Sequence, residues 1–470
     1  MKKSKLGKAS KRLDMVDMIS DLPDSILHSI LSRLPTTEEV IRSSILSTRW
    51  RYLWTSIPSI DIDYSRGLMP FKEFRNNKFE EFECSVLANK SIDLDSFRLC
   101  CGNYFSMSKV RRWINAAITR NVKLLDLMFH PTEESKITEV PHCLVNCSSL
   151  EVLRLCLLGG LFMLRNYSGF LTIRVLELKT CILIDDDLVK DFLKSSCPLL
   201  ENLSLVNCMT STITVFCISC PKLKNLRIDN QKVLDCKELG DDIDMCDNLE
   251  IFCPKLVFLE LSGHVAYNFL FENLVSLKKA EIHPEFKLQR ELPSESMDTI
   301  VCALFYEISN VELLSTSLFY DHKCINLEDL PKSLPNLKTL EITTIADAFN
   351  MDVLIQILTR SPNLESLHLI IEKDPPCSSS LTEASSLDFW EMECPFDYIF
   401  ERLKMVKMTC ISGVPHEMGF IKFLLGSSPI LETMSISPSG NITDGRSTFS
   451  IELPRLRRAS PKAEIIFVQK

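Results

Sequence analysis

One short apolar pattern recurs along most of this chain and limits its fold more than any other feature. The unit is an apolar residue, two others, an apolar residue, one other and an apolar residue. Alternation inside the unit predicts a short strand with every second side chain on one face. The starts lie mostly 21 to 33 residues apart, a period typical of stacked repeats. The copies are Leu94-Phe97-Leu99, Val122-Leu125-Leu127, Leu150-Leu153-Leu155, Ile173-Leu176-Leu178, Leu200-Leu203-Leu205, Leu223-Leu226-Ile228, Leu256-Leu259-Leu261, Leu277-Ala280-Ile282, Ile308-Val311-Leu313, Leu337-Leu340-Ile342, Leu364-Leu367-Leu369, Leu403-Val406-Met408 and Leu431-Met434-Ile436.

A proline turn precedes several of these units. Proline stops a preceding helix and favours an extended entry into the next strand. The turns are Cys197-Pro198, Cys220-Pro221, Cys253-Pro254, Leu334-Pro335, Ser361-Pro362 and Ser428-Pro429. Helices are predicted before some of them, over Asp187 to Leu193, Met351 to Leu358 and Phe420 to Leu425.

These units resemble the plant leucine-rich repeat, which implies a curved α/β solenoid, a horseshoe whose strands line a concave binding wall. Counting the first leucine as position one, position nine turns inward and its polar group bonds the backbone at the bend. Cys181 and Cys208 fit this position, whereas His130, His264 and Ile411 do not. Polar residues between the leucines carry mixed charge, which favours a protein partner over a nucleic acid. They are Glu151, Arg154, Glu177, Lys179, Lys224, Arg227, Glu260, Lys338, Glu341, Glu365 and His368.

Two or three short helices are predicted before the repeats, over Asp17 to Trp54. Pro23 falls at a helix start, and Ile26, Leu27, Ile30, Leu31 and Leu34 share one helical face. Pro35 ends this helix, and Thr36 or Thr37 is suited to cap a second one that carries Val40, Ile41, Ile45 and Leu46. So small a module cannot cover its own apolar surface. It therefore either docks on the rest of the chain as a buried hairpin or binds another protein.

This stretch resembles the F-box in its plant form. The matching residues are Ile19-Ser20-Asp21-Leu22-Pro23, Ile26-Leu27, Ile30-Leu31, Leu34-Pro35, Val40, Ser44-Ile45-Leu46-Ser47 and Arg49-Trp50-Arg51-Tyr52-Leu53-Trp54. The resemblance implies that the helices bind a Skp-type adaptor of a cullin ubiquitin ligase, while the rest of the chain selects the target. The adaptor contacts it implies are Leu22, Pro23, Ile26, Ile30, Leu31, Leu34, Val40, Ile45 and Leu46.

The end of the chain resembles the FBD region that often closes plant proteins of this kind. The matching residues are Trp390, Leu403 to Val406, Gly413, Glu417-Met418, Phe420 to Leu425, Ser428 to Glu432 and Arg458-Ala459-Ser460. Cys394-Pro395-Phe396-Asp397-Tyr398 replaces the usual "VP-x-CL". The predicted organisation is a basic tail at 1–16, an F-box at 17–60, repeats at 90–372, a polar linker at 373–388 and an FBD-like region at 389–470 that continues and caps the solenoid.

Charge and hydropathy limit the kinds of partner that this chain is expected to have. The net charge is −9, and removing the six basic residues among the first twelve leaves −15, which argues against nucleic acid. The basic tail is either a nuclear-import signal or a solvated terminus. Neither a membrane-spanning run nor a secretion signal is found, so we expect no membrane partner and a location in the nucleus, the cytoplasm or both.

The cysteines and histidines do not form a credible chemical site. The 19 cysteines are scattered, as expected of thiols in a reducing compartment. Cys217 and Cys220 form a C-x-x-C without a second pair at metal-ligand spacing, which leaves zinc or redox chemistry as a minor alternative. No H-E-x-x-H, G-x-S-x-G or phosphate-cradling glycine motif occurs. We expect no metal, no cofactor and no catalytic residues.

The sequence therefore predicts a non-catalytic receptor subunit of an SCF-type ubiquitin ligase. The F-box binds the adaptor, and through it the cullin, while the repeats bind an unknown target protein. The alternative is a leucine-rich scaffold or small-ligand sensor that docks the adaptor without target turnover.

Overall fold

The computed structural model describes twenty stretches of the 470-residue chain. They are 19, 22–34, 37–53, 57–63, 93–105, 107–131, 137–139, 142–163, 170–184, 197–210, 215–230, 246, 248–263, 265–266, 268–284, 305–318, 331–346, 348–372, 400–439 and 453–468. The predicted basic tail, the linker, the helix from Asp187 to Leu193 and the start of the FBD-like region lie outside these residues. The chain divides into two units, Met1–His130 and Pro131–Lys470.

The first unit contains the helical module and the first repeats. Its helices are α1 (Asp24–Leu31), α2 (Thr37–Arg42), a 3-10 turn (Ser43–Ile45), α3 (Trp50–Leu53) and α4 (Met107–Ile118); its strands are β1 (Ser59–Asp63), β2 (Ser96–Phe105) and β3 (Leu124–Pro131). Strands β1 and β2 pair in parallel, with Ile60 opposite Phe97.

The second unit is built on a long parallel strand ladder. Its strands are β4 (Ile137–Glu139), β5 (Val152–Met163), β6 (Val175–Ile184), β7 (Asn202–Val206), β8 (Met209–Thr210), β9 (Val215–Ile218), β10 (Asn225–Asn230), β11 (Asn248–Phe252), β12 (Phe258–Gly263), β13 (Asn268–Glu272), β14 (Lys279–Pro284), β15 (Leu313–Leu318), β16 (Thr339–Ile345), β17 (Ser366–Glu372), β18 (Met405–Ile411), β19 (Thr433–Pro438) and β20 (Glu464–Phe467). Its helices are α5 (His142–Val145), α6 (Ala348–Thr359), α7 (Pro415–Ser427) and a 3-10 turn (Leu453–Arg455). The main ladder runs β5-β6-β7-β10-β12-β14-β15-β16-β17-β18-β19-β20.

The repeat pattern explains this ladder. In β7, Leu203 and Leu205 are buried while the residues beside them are half-buried, and Leu200 at position one is buried as well. Its amide donates to the carbonyl of Cys197, 3.1 Å away, which closes the turn before the strand. The α/β leucine-rich-repeat fold is confirmed, and α6 and α7 confirm the helices predicted over Met351 to Leu358 and Phe420 to Leu425.

One predicted repeat register is wrong. Leu314, not Val311, pairs with Ala280 of the preceding strand, so this unit is Val311-Leu314-Thr316 rather than Ile308-Val311-Leu313. A search for apolar residues alone misses the correct register because Thr316, which is buried, occupies position six of this unit. Ile308 instead occupies the turn, where its carbonyl accepts the amide of Val311.

A second, three-stranded parallel sheet of β9, β11 and β13 was not predicted. Two of these strands lead directly into proline turns: β9 precedes Cys220-Pro221 and β11 precedes Cys253-Pro254. Proline therefore follows a strand here, whereas it follows a helix at Ser361-Pro362 and Ser428-Pro429. Strand β1 was also missed, although Ile57, Ile60 and Ile62 have the repeat spacing and are buried.

The bend after the strand is made by position eight. Thr180, Asn207, Gly263 and Cys410 occupy this position in their repeats, and all have positive φ, between 50° and 73°. The Sγ of Cys208 at position nine lies 3.4 Å from the carbonyl oxygen of Leu178 on the neighbouring repeat. That contact, and the one from Cys181 to the carbonyl of Lys179, confirm the predicted role of both thiols.

Candidate functional site

The helical module has a small core of its own. Leu27 and Leu31 of α1 pack with Val40 of α2, Trp50 and Leu53 of α3, and Ile57, while Leu22 and Leu34 pack partly against this cluster. Leu27 and Leu31 lie four residues apart, so one stripe of α1 is sealed.

Polar contacts fix the ends of the helices. Pro23 is the residue before the first turn of α1, and its carbonyl accepts the amides of Ile26 and Leu27. Thr37, one of the two predicted caps, is the first residue of α2, and its Oγ1 accepts the amide of Asp61 in β1 at 2.6 Å. Thr36, the other predicted cap, lies outside the described residues.

The outer side of the module carries exposed aliphatic side chains. Ile26 and Ile30 are one turn apart on α1, on the face that adjoins the core stripe, and both are exposed. Ile45 is 86% exposed and Leu46 is 62% exposed, at and just after the 3-10 turn. Exposed aliphatic side chains that lie together on a small module are typical of a protein-binding site.

The structure divides the predicted adaptor contacts into three groups. Ile26, Ile30, Ile45 and Leu46 are exposed, as is Pro23. Leu22 and Leu34 are half-buried against the core. Leu31 and Val40 are buried within the core of the module. Sequence could not separate these groups, since α1 is apolar on two adjoining faces.

Ile19 was missing from the predicted contacts. It is 57% exposed, and its carbonyl accepts the amide of Leu22. The sequence did contain a signal for Ile19, because this residue opens the motif that carries the F-box resemblance.

The repeat sheet offers a second surface, which we call the open face: the side that carries positions three, five and seven of the repeats. Most polar residues noted there form ion pairs across neighbouring strands. Arg154 pairs with Glu177 at 3.1 Å, and Arg227 pairs with Glu260 at 3.2 Å. Burial raises the pKa of Glu260, although Arg227 acts against this rise. The open face is therefore polar and largely balanced in charge.

Two histidines lie on the open face between β14 and β17. The imidazole of His283 contacts the hydroxyls of Ser317 at 2.7 Å and Ser315 at 3.2 Å, and burial lowers its pKa. His368 Nδ1 lies 2.7 Å from Glu341 Oε1. Neutral hydroxyls and imidazoles can bond a peptide backbone as well as a side chain.

The two cysteines of the C-x-x-C differ in burial. Cys220 is buried and Cys217 is half-buried, and burial raises the pKa of Cys220. Among the described residues, no group of three or more His, Cys, Asp and Glu side chains is placed to hold a metal ion. None of the helices that the structure describes could span a lipid bilayer.

Comparisons with known families cover both units. Residues 19–61 match the F-box domain, and residues 84–436 match the family described as "At1g61320/AtMIF1, LRR domain". Similar proteins from Arabidopsis thaliana include "F-box/FBD/LRR-repeat protein At1g13570", 29% identical over 96% of this chain and 99% of the relative. Others are "FBD-associated F-box protein At1g66310", 28% identical over 98% of both, and "F-box/LRR-repeat protein 13", 27% identical over 97% of both.

Proposed function

This chain belongs to the plant F-box/FBD/leucine-rich-repeat family, and from that membership we propose that it is the substrate-recognition subunit of an SCF-type ubiquitin ligase. Proteins of the family act in general as receptors within such ligases, and F-box domains in general bind Skp-type adaptors. The proposal for this chain is more specific: its own F-box residues bind the adaptor, and its repeats bind a target protein for ubiquitination.

The observation that carries the proposal is the exposed aliphatic set on the helical module. Ile26, Ile30, Ile45 and Leu46 are exposed and lie outside the core cluster of the module. Their exposure to water is unfavourable by about 25 cal/mol per Å² of apolar surface. An adaptor surface would remove this cost in an interface of about 1,600 Å² in total.

The proposed mechanism is one of proximity. The receptor supplies no reacting group; the ubiquitin-carrying cysteine belongs to another subunit of the ligase. Holding the target beside that subunit makes an encounter between two proteins effectively intramolecular, which raises its rate. The polar, charge-balanced open face of the repeats suits a protein target.

The test is capture of a purified Skp-type adaptor by the full chain. Ile45→Asp with Leu46→Asp places two carboxylates on the proposed interface and should reduce capture at least about tenfold, since buried unpaired charges are strongly unfavourable. The matched control is Leu171→Asp with Ile430→Asp, which alters two exposed aliphatic residues of the repeats and should leave capture unchanged. Undiminished capture by the first variant would rule out this interface.

Target turnover separates a receptor from a scaffold. If the chain is a receptor, a protein captured by its repeats should accumulate when the proteasome is inhibited and also when the Ile45→Asp/Leu46→Asp variant replaces the wild type. A captured protein whose abundance responds to neither change would favour the scaffold.

A further inference from the structure

A continuous row of backbone bonds follows the edge of the second unit's sheet where its strands begin. The amide at position two of each repeat donates to the carbonyl at position two of the repeat before, from Arg174 to Glu151 at 2.8 Å through to Glu432 and Lys404 at 2.8 Å. We call the residues at position two, and at the position just before position one, the amino-terminal rim. Rim residues of successive repeats are neighbours.

Charge alternates along position two of the rim. The order is Glu151, Arg174, Glu201, Lys224, Val257, Lys278, Glu312, Lys338, Glu365, Lys404 and Glu432. Several neighbours form ion pairs, such as Lys224 with Glu201 at 2.6 Å and Lys338 with Glu312 at 2.8 Å. The alternation fails once, at Val257, which is exposed and lies between two lysines.

The rim becomes strongly basic from β10 to β18. Its members there are Lys222, Lys224, Lys255, Val257, Ser276, Lys278, Asn310, Glu312, Asn336, Lys338, Asn363, Glu365, Arg402 and Lys404. Seven are basic and two are acidic, in a chain whose net charge is −9. Lys222, Lys255 and Arg402 have no ion-pair partner among the described residues. Val275, which is 83% exposed, adds an aliphatic side chain beside Ser276.

A groove of about 590 Å³ opens along the same rim. It begins at Val275, continues past Asn310, Asn336 and Asn363, and ends at Arg402. The side-chain amides of two of these asparagines bond the preceding repeat: Asn336 Nδ2 lies 3.4 Å from the carbonyl of Asn310, and Asn363 Nδ2 lies 2.6 Å from that of Pro335. The groove is thus lined by asparagine amides, whose oxygens can accept bonds from a peptide backbone, together with Lys278, Lys338, Glu312 and Glu365.

We infer that this rim is a docking surface for an extended acidic segment of a partner protein. Carboxylates of the segment would pair with Lys222 and Lys255 at one end and with Arg402 at the other. An aliphatic side chain of the segment would contact Val257 and Val275, and its backbone would lie along the asparagines. Charge complementarity selects this occupant, since the unbalanced charges of the rim are all positive.

The dimensions agree with this occupant. From β10 to β18 the ladder crosses six strand spacings, about 29 Å at about 4.8 Å each. An extended peptide of about nine residues spans the same distance. The inference rests on the proposed function only in taking the bound protein to be the ligase target; docking itself requires no adaptor.

The probe is a fluorescein-labelled peptide of about ten residues that alternates Glu and Leu, measured with the full chain by fluorescence polarisation. It should bind, and binding should weaken as salt is raised, because exposed charges are screened. A matched peptide with Lys in place of Glu should not bind. Equal binding of both peptides, or binding of neither, overturns the inference.

Charge reversal on the rim locates the site. Lys222→Glu with Lys255→Glu should weaken binding of the acidic peptide at least about tenfold, and Arg402→Glu should weaken it as well because the peptide reaches both ends. Lys407→Glu with Lys422→Glu makes the same charge change on two exposed lysines away from the rim, one on the open face in β18 and one on α7, and should have no effect. Unchanged affinity in the rim variants, or equal loss in the control, overturns the assignment.

Two further measurements separate the sources of a negative result. Inorganic triphosphate should displace the peptide only when it is present in excess, as a simple polyanion would. Displacement of the peptide at equimolar triphosphate would assign the site to phosphate instead. The rim variants should capture the Skp-type adaptor normally. Loss of peptide binding with normal adaptor capture concerns the rim alone, whereas loss of adaptor capture with normal peptide binding concerns the proposed function alone.

Discussion

Ile30 and Leu31 are adjacent on α1, yet Ile30 is 40% exposed while Leu31 is fully buried. The boundary between the core of the helical module and its proposed docking surface therefore passes between two consecutive aliphatic residues. The two side chains should serve stability and binding separately, although they differ little in hydrophobicity.

Substitutions on either side of this boundary should affect different properties, stability on one side and adaptor binding on the other. Leu31→Ala removes a fully buried side chain and should lower the free energy of unfolding of the module by about 3 kcal/mol. Ile26→Asp with Ile30→Asp should leave the unfolding midpoint nearly unchanged but reduce adaptor capture at least about tenfold. Circular dichroism melts and adaptor pull-down measure the two effects. If the aspartates lower the unfolding midpoint as much as Leu31→Ala does, the division is wrong.

Thr180 at position eight should be replaceable by asparagine with a gain in stability. Its φ of 51° is unfavourable for a β-branched residue, whereas asparagine tolerates this conformation. Thr180→Asn should therefore raise the free energy of unfolding by about 1 kcal/mol. The control is Thr339→Asn in the extended strand β16, which should not be stabilising. Chemical denaturation compares the two, and equal midpoints would contradict the argument.

The repeat period was legible in the sequence because apolar residues at positions one, four and six are needed in nearly every copy. The prediction of the repeat register failed at Thr316, where a buried residue with a hydroxyl group occupies position six. Strand β9 was missed because its alternation, Phe216 and Ile218, is too short to be recognised as a strand. The F-box occurs once and was legible because its motif residues, from Ile19 to Trp54, resemble those of a known family. The division of Ile30 from Leu31 was not, since it depends on where α2 and α3 pack rather than on α1 itself.

Acid should destabilise the second unit partly through His283. Burial holds its folded pKa below the ordinary value of 6.5, despite Glu281 and Glu341 nearby. The unfolded chain then binds more protons as pH falls through 6.5 towards the folded pKa, so stability is lost over that interval. His283→Gln, which can still bond Ser315 and Ser317, should lose less stability than wild type between about pH 7.5 and about pH 5.5. Parallel urea titrations would test this, and identical pH slopes would exclude His283 as the cause.

Thiol reactivity should follow burial. Burial raises the pKa of Cys197 to about 12 and that of Cys253 to about 11, whereas Cys410 is exposed. Because only the thiolate reacts, iodoacetamide should modify Cys410 at least about ten times faster than either buried thiol in the native protein. Mass spectrometry of quenched samples measures this. Labelling in urea is the control and should abolish the difference, while fast labelling of Cys253 in the native state would contradict its burial.

Val257 is the one interruption in the alternating charges at position two, and restoring the alternation should stabilise the sheet. In Val257→Glu the new carboxylate lies between Lys224 and Lys278, whose repeats contact it through the bonds from Val257 to Lys224 and from Lys278 to Val257. The gain in the free energy of unfolding should be about 0.5 kcal/mol, as for exposed ion pairs. Val257→Lys is the matched control and should be destabilising by a similar amount, since it places three lysines in a row. Denaturation at low and high salt measures both changes, which should shrink together as salt screens the charges.

The same Val257→Glu variant should bind the acidic peptide more weakly, because the carboxylate that completes the charge alternation also removes the basic and aliphatic character of the rim. A variant that is more stable and still binds the peptide as tightly as wild type would mean that Val257 has no part in docking.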